Sequence, residues 1–203
     1  MRRALAHYFV PAPPASPGPG PLLRMTEGGR EFRFRTAPGV FSRGRVDRGS
    51  RLLLQAARLD GARRILDLGC GYGVLGIVAA ARAPQATVVL VDINPRAAAL
   101  AEENVRLNGI PNAEVRCGDG CAPVAGLAFD VILCNPPIRA GRAVVLRLFR
   151  EARECLAPGG RLYVVARTNQ GARTLARALG EVYARVAEVE RGGGYRVYEA
   201  SGV

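Results

Sequence analysis

From residue 63 onward the apolar residues switch repeatedly between two spacings. Short runs dense in Val, Ile and Leu predict strands at Arg64–Leu68, Thr87–Asp92, Glu114–Cys117, Phe129–Asn135 and Arg161–Ala166. Between them apolar positions recur at helical spacing over Val74–Ala83, Pro95–Asn108, Arg142–Leu156 and Ala172–Leu179. Two boundaries are well punctuated. Asn94 stands as an N-cap before Pro95 at the first helical position, and Gly109 follows the last turn. Pro158-Gly159-Gly160 predicts that the third of these helices stops before the next strand. Val186–Glu190 and Tyr195–Ala200 then flank Gly192-Gly193-Gly194, the pattern of a hairpin. Alternating strands and helices predict an α/β fold with a mostly parallel sheet covered on both faces, closed by an antiparallel edge.

Upstream the pattern changes. Residues 11–21 interleave proline with Ala, Ser and Gly, which predicts a polyproline-type arm. Glu31-Phe32-Arg33-Phe34-Arg35 alternates apolar and charged residues, as a half-buried strand of a small sheet or flap does. Gly49–Leu59 carries an apolar stripe at helical spacing, and Gly61 ends it. The chain therefore divides into an arm with a small β segment, residues 1–38, and a main domain, residues 39–203.

The formal charge is +12, and all 29 basic residues are arginine. Residues 1–60 hold eleven arginines against four acids, so charge density is highest there. Arg30, Arg33, Arg35, Arg43, Arg45, Arg48 and Arg51 crowd together, and the guanidinium fork suits phosphate. A nucleic-acid partner follows, with a solvated arginine face as the plain alternative. An apolar share of 49% argues against a disordered chain. The five cysteines form no C-x-x-C pair and His7 is the single histidine, so no metal site is expected, and reduced thiols point to the cytoplasm. His7 itself reads as a surface or packing residue. No apolar run reaches membrane-spanning length, and Met1-Arg2-Arg3 with the short stretch after it does not form a signal peptide.

Ile65-Leu66-Asp67-Leu68-Gly69-Cys70-Gly71-Tyr72-Gly73 is a strand running into a glycine-rich turn and a helix, a place where backbone can approach a ligand. Gly71-Tyr72-Gly73-Val74-Leu75-Gly76 also satisfies the dinucleotide pattern G-x-G-x-x-G, with Asp92 a suitable distance downstream. Asp67 favours S-adenosylmethionine, because a carboxylate beside the turn repels a pyrophosphate and attracts a cationic amino acid moiety. Asp92, followed by Ile93, ends the second strand and can accept from ribose hydroxyls of either cofactor. Asp119-Gly120 ends the third, where a carboxylate can accept from an adenine amino group. Three acids at successive strand ends converge on one crevice. Tyr72 either covers the methionine moiety or packs in the turn.

Asn135-Pro136-Pro137-Ile138 follows the strand FDVILC directly. A double proline ends the strand and stiffens the loop. An exocyclic amine conjugated to a base or an amide is a poor nucleophile, because its lone pair is delocalised. The Asn135 side-chain oxygen and the Pro136 carbonyl can each accept one of its N–H groups and turn the lone pair towards a methyl donor.

Together these segments resemble the small-domain class I methyltransferases, including the bacterial 16S rRNA guanine-N2 methyltransferases of the C type. The similarity spans roughly residues 31–200 and also takes in Gly39-Val40-Phe41-Ser42-Arg43, Val46-Asp47, Gly49-Ser50-Arg51 and the closing Arg196-Val197-Tyr198. The resemblance implies a Rossmann-like, mostly parallel seven-stranded sheet with a C-terminal antiparallel hairpin and a short N-terminal β extension. It implies that Gly69 and Gly71 line S-adenosylmethionine, Asp92 holds ribose, Asp119 faces adenine and Asn135 holds the target amine. Phe41 and Arg43 would lie near the substrate mouth, with Ile138 and Arg139 against the substrate. Ile138 stands where many relatives place an aromatic that stacks on the target base. The implied activity is N-methylation, with guanine N2 of ribosomal RNA, free or in the small subunit, as first candidate substrate. A protein-glutamine or small-molecule N-methyltransferase and a non-catalytic RNA-binding factor are the alternatives.

Overall fold

The computed structural model describes residues 21–37, 46–169 and 171–202. Most of the proline-rich arm, His7, Phe41 and Arg43 lie outside these residues. Strands β1 (Leu22–Glu27) and β2 (Arg30–Arg35) form a separate antiparallel hairpin. The main body follows as α1 (Arg48–Ala56), β3 (Arg64–Leu68), α2 (Val74–Arg82), β4 (Thr87–Asp92), α3 (Pro95–Leu107) and β5 (Ala113–Cys117). It continues through β6 (Phe129–Cys134), α4 (Arg142–Glu154), β7 (Leu156–Arg167), α5 (Ala172–Gly180), β8 (Arg185–Gly192) and β9 (Tyr195–Ser201).

The seven-stranded sheet runs in the order β5-β4-β3-β6-β7-β9-β8. Pairing is parallel from β5 to β7 and antiparallel where β9 joins β7 and β8. Successive side chains of a strand point to opposite faces, and both faces here are apolar. Ile65, Val131 and Leu133 join a core with α1, α2 and α3, whereas Leu66, Ile132 and Cys134 join one with α4 and α5. Two apolar faces explain why the strands read as continuous hydrophobic runs.

Two boundaries differ from the sequence expectation. Leu156, expected in a helix, instead pairs with Phe129 as the first residue of β7, after α4 ends at Glu154. The register then jumps to Val131 opposite Arg161, so Pro158-Gly159-Gly160 makes an irregularity inside the strand rather than a stop ahead of it. Asn135, expected as the last strand residue, lies one position beyond β6.

The hairpin docks through alternation and through two asparagines. Leu23, Met25, Phe32 and Phe34 are buried and join the core on the α1–α3 face. Along the outer edge of β2, Asn108 Oδ1 accepts from Arg33 N (2.9 Å) while its Nδ2 donates to Arg33 O (2.7 Å). Asn104 repeats the exchange with Arg35, at 2.7 and 3.0 Å. One helical turn separates the two asparagines, so α3 and its C-cap Asn108 present side-chain amides where another strand would present its backbone. Asn104 is fully buried and also donates to the Tyr72 carbonyl (2.9 Å), which ties the hairpin to the glycine turn.

Candidate functional site

The sheet order reverses direction at β3, which sits between β4 and β6, and such a reversal opens a crevice beyond the carboxyl ends of the strands. The turn after β3 is pinned to β4 by Gly69 N and Cys70 N, both donating to Val91 O at 2.9 Å. Gly69 and Gly71 have φ of +76° and +57°, which disfavours any side chain, and a Cβ on either would meet nothing within 4 Å. The backbone there faces open space at contact range for a ligand.

Asp92 closes the floor of the crevice. Its Oδ2 accepts from Gly71 N (2.7 Å) and its Oδ1 from Asn94 N (2.8 Å), so the carboxylate braces the turn that it faces. Burial raises its pKa, an effect reduced by those two N–H groups. Each oxygen retains a second lone pair, the capacity a vicinal diol requires. Ile93 follows it, half-buried.

Asp67 departs from the simple expectation of a carboxylate displayed to a ligand. It is fully buried, and Oδ2 accepts from Gly76 N at 2.7 Å, a first-turn N–H of α2 that has no partner within the helix. Oδ1 has no partner among the described residues. Burial pushes its pKa up to about 7, with Gly76 opposing and the nearby Asp92 charge adding to the rise.

Asp119 is likewise more committed than expected. Arg147 of α4 grips both of its oxygens, at 2.8 and 3.1 Å, and reaches Glu151 at 2.9 Å. Glu151 in turn accepts from Cys121 N (3.0 Å), just beyond Gly120. An adenine amino group at Asp119 would share the carboxylate with a guanidinium. Tyr72 is buried, with its ring edge-on to Phe34 at 5.9 Å.

These residues fit S-adenosylmethionine. Gly69 and Gly71 leave the space, Asp92 keeps a second lone pair on each oxygen beside its two backbone donors, and the orphaned Asp67 oxygen is a buried acceptor suited to a cationic group. A pyrophosphate at the turn would instead face the Asp92 carboxylate, which lies against Gly71 N.

The second half of the site lies across the crevice. Asn135 is half-buried, and its Nδ2 points at Ser50 Oγ (3.3 Å) and Asp47 Oδ2 (3.4 Å), at the long end of hydrogen-bond range. Asp47 is the N-cap of α1, accepting from Ser50 N at 3.1 Å. Tyr195 of β9 donates its hydroxyl to Asp47 Oδ1 (2.8 Å), and Arg167 at the end of β7 donates Nε to the Tyr195 oxygen (2.8 Å). Pro136 is buried, and its carbonyl already accepts from Ile138 N at 2.8 Å, leaving one lone pair. Pro137 and Ile138 are half-buried beside it, and Arg139 is exposed.

Sequence reasoning missed Arg147, Tyr195 and Arg167 as parts of the site. Asp47 and Ser50 carried a signal, the D-x-G-S ahead of an apolar helix that marks an N-cap, yet nothing in it pointed to Asn135.

A cavity of about 530 Å³ is lined by Asp47 and Tyr195 together with Arg48, Arg167, Thr168 and Asn169. The arginine-rich segment is partly neutralised: Arg24 and Arg33 share Glu31, and Arg35 pairs with Glu103. Arg48 and Arg51 are exposed and make no ion pair among the described residues. Among those residues no group of His, Cys, Asp and Glu is arranged for a metal, and no helix is long and apolar enough to cross a membrane.

Three comparisons bear on this geometry. A family model described as the methyltransferase small domain matches residues 31–199. The uncharacterized protein YbxB of Bacillus subtilis is 38% identical over 178 residues, 86% of this chain and 88% of that protein. The ribosomal RNA large subunit methyltransferase G of Streptomyces avermitilis is 40% identical over 138 residues, 66% of this chain but 36% of its own length. Among solved structures, the 16S rRNA N2 methyltransferase RsmC of T. thermophilus, in complex with S-adenosylmethionine and guanosine, superposes with a TM-score of 0.81. It is 29% identical, and the match covers 94% of this chain and 52% of that one. The chain thus spans about a third to a half of the named ribosomal RNA methyltransferases and nearly all of YbxB.

Proposed function

Since the chain belongs to the methyltransferase small domain family and takes S-adenosylmethionine as its cofactor, we propose that it methylates an exocyclic amine of ribosomal RNA, with guanine N2 as the target. One observation carries the amine: the Asn135 amide has its N–H groups turned to Asp47 and Ser50. Its oxygen therefore faces away from them, and it accepts from no donor among the described residues.

When bound, S-adenosylmethionine supplies a methyl group on a positively charged sulfur. The chain's own residues prepare the nitrogen that receives it. Asn135 Oδ1 accepts one N–H of the amine, and the remaining lone pair of Pro136 O accepts the other. Both bonds draw the nitrogen out of conjugation with its ring and aim its lone pair along the transfer axis. Pro136 and Pro137 hold the two acceptors rigidly, so little reorganisation accompanies the reaction. Ile138 lies against the base without stacking on it as an aromatic would.

Support for RNA comes from charge and from the relatives. Arg48 and Arg51, with Arg167 in the adjoining cavity, can contact phosphates flanking a base presented out of its stack. Relatives with related cores are named as methyltransferases of large- and small-subunit ribosomal RNA. Transfer of tritiated methyl to total RNA, ribosomal subunits and protein extract, followed by mapping of the label, tests the reading. Label at guanine N2 is expected, and label confined to protein ends the RNA assignment.

A further inference from the structure

We propose that Asp47 and Tyr195 are positioning residues that fix which way round the Asn135 amide sits, and so restrict the site to N–H donors. The inference rests on the role given to Asn135 above. A side-chain amide is nearly symmetric in shape, and unless its surroundings distinguish oxygen from nitrogen it can present either to a substrate. Presenting the NH2 would repel an amine. Asp47 removes that choice, because an ionised carboxylate only accepts and only the NH2 of Asn135 can face it.

The carboxylate that makes this decision is itself held at both oxygens. Oδ2 accepts from Ser50 N (3.1 Å) as an N-cap, and Oδ1 accepts from the Tyr195 hydroxyl (2.8 Å). The bond runs from Tyr195 because a carboxylate oxygen only accepts, and Arg167 Nε donates to the same hydroxyl (2.8 Å), with the guanidinium 5.2 Å from the ring centre. Burial, and the Asp47 carboxylate beside it, raise the Tyr195 pKa and keep the hydroxyl a donor. Donors and acceptors thus run in one direction, from Arg167 through Tyr195 to Asp47, and Asn135 donates into the far oxygen. The approach is close enough to need glycine at position 49, where a Cβ would stand 2.7 Å from the Tyr195 ring and 2.8 Å from Asp47 Oδ2. Ser50 Oγ is the second acceptor for Asn135 Nδ2 (3.3 Å).

Tyr195→Phe removes one hydroxyl and keeps the ring. Methyl transfer to purified small ribosomal subunits should lose about tenfold in kcat, the usual scale for a residue that orients another. KM, S-adenosylmethionine affinity by calorimetry and Tm should stay near those of the parent protein. A purely structural role would move Tm and KM with kcat. The Asn135 side-chain NH2 signal in an ¹⁵N spectrum, assigned by its loss in Asn135→Ala, should shift in Tyr195→Phe without any substrate present. Asp47→Asn keeps an oxygen to cap Ser50 N but can donate as well as accept, and gives the same two readings should Tyr195→Phe fail to fold. An unmoved NH2 signal with parental kcat, or a kcat loss that follows Tm, overturns the proposal. Full activity in Asn135→Ala overturns instead the role on which it rests.

Discussion

The two edges of the crevice are built by different means. On the cofactor edge, two of the three carboxylates are held by backbone N–H groups, Gly71 and Asn94 on Asp92 and Gly76 on Asp67, and only Asp119 is held by a side chain, Arg147. On the amine edge, Asn135 is held by the side chains of Asp47 and Ser50, and Asp47 by Tyr195, 148 residues away in the chain. Backbone donors are present whatever the sequence, so acids and glycines at strand ends are enough to define the part of the first edge built by Asp67 and Asp92. The second exists only when the fold brings α1, β6, β7 and β9 together.

The largest expected effect separates the edges. Asn135→Ala should lower methyl transfer by about 10²–10³, the cost of losing one aimed hydrogen bond at a reacting centre. Calorimetry should find S-adenosylmethionine binding unchanged, and a collapse of both would mean the edges act as one. Next comes Asn104→Ala, which tests whether the glycine turn of the cofactor edge stands on backbone bonds alone. It strands the Arg35 backbone and the Tyr72 carbonyl, and should cost roughly 2–4 kcal/mol in chemical denaturation. If stability is unchanged, the asparagine contacts are incidental. Asp92→Ala should weaken S-adenosylmethionine about ten- to a hundredfold, or roughly 1.5–3 kcal/mol, by removing an acceptor and loosening the turn.

The last test is a pH dependence. Burial lifts Asp67 from 3.8 to about 7, so the folded protein keeps a proton that the unfolded chain releases. Its contribution to stability is therefore complete below about pH 4 and is lost as pH rises to about 7, beyond which the curve is flat. The folded form of Asp67→Asn, which keeps an acceptor for Gly76 and cannot ionise, should show a smaller drop in denaturation midpoint between pH 5 and pH 7.5. An identical drop in both proteins would place the ionisation elsewhere, with Asp92, whose pKa burial also raises, first in line.

The same contrast explains what could be read from the chain. Sheet, helices and hairpin were legible because both strand faces are apolar and the breaks carry Asn-Pro or glycine. The cofactor edge was legible because its residues lie within the strand-turn segments that hold them. The commitment of Asp119 to Arg147 was not, since one arginine among 29 carries no mark of its partner. Tyr195 was equally silent: it read only as the first residue of the closing strand, and its hydroxyl matters only through Asp47. Strand β1 was missed because Leu22–Glu27 has just two buried side chains, Leu23 and Met25. The bulge in β7 was misread because Pro-Gly-Gly signals a break without saying on which side of a strand's start it falls.

The asparagine pair of α3 has a consequence for solubility. A two-stranded hairpin lying outside the main sheet exposes a row of backbone groups that invites strand exchange with a second molecule. On β2 that row is answered by Asn104 and Asn108 at Arg35 and Arg33. The edge is closed to a neighbouring strand, so the hairpin can keep an alternating apolar and arginine sequence without offering that side as a template for aggregation.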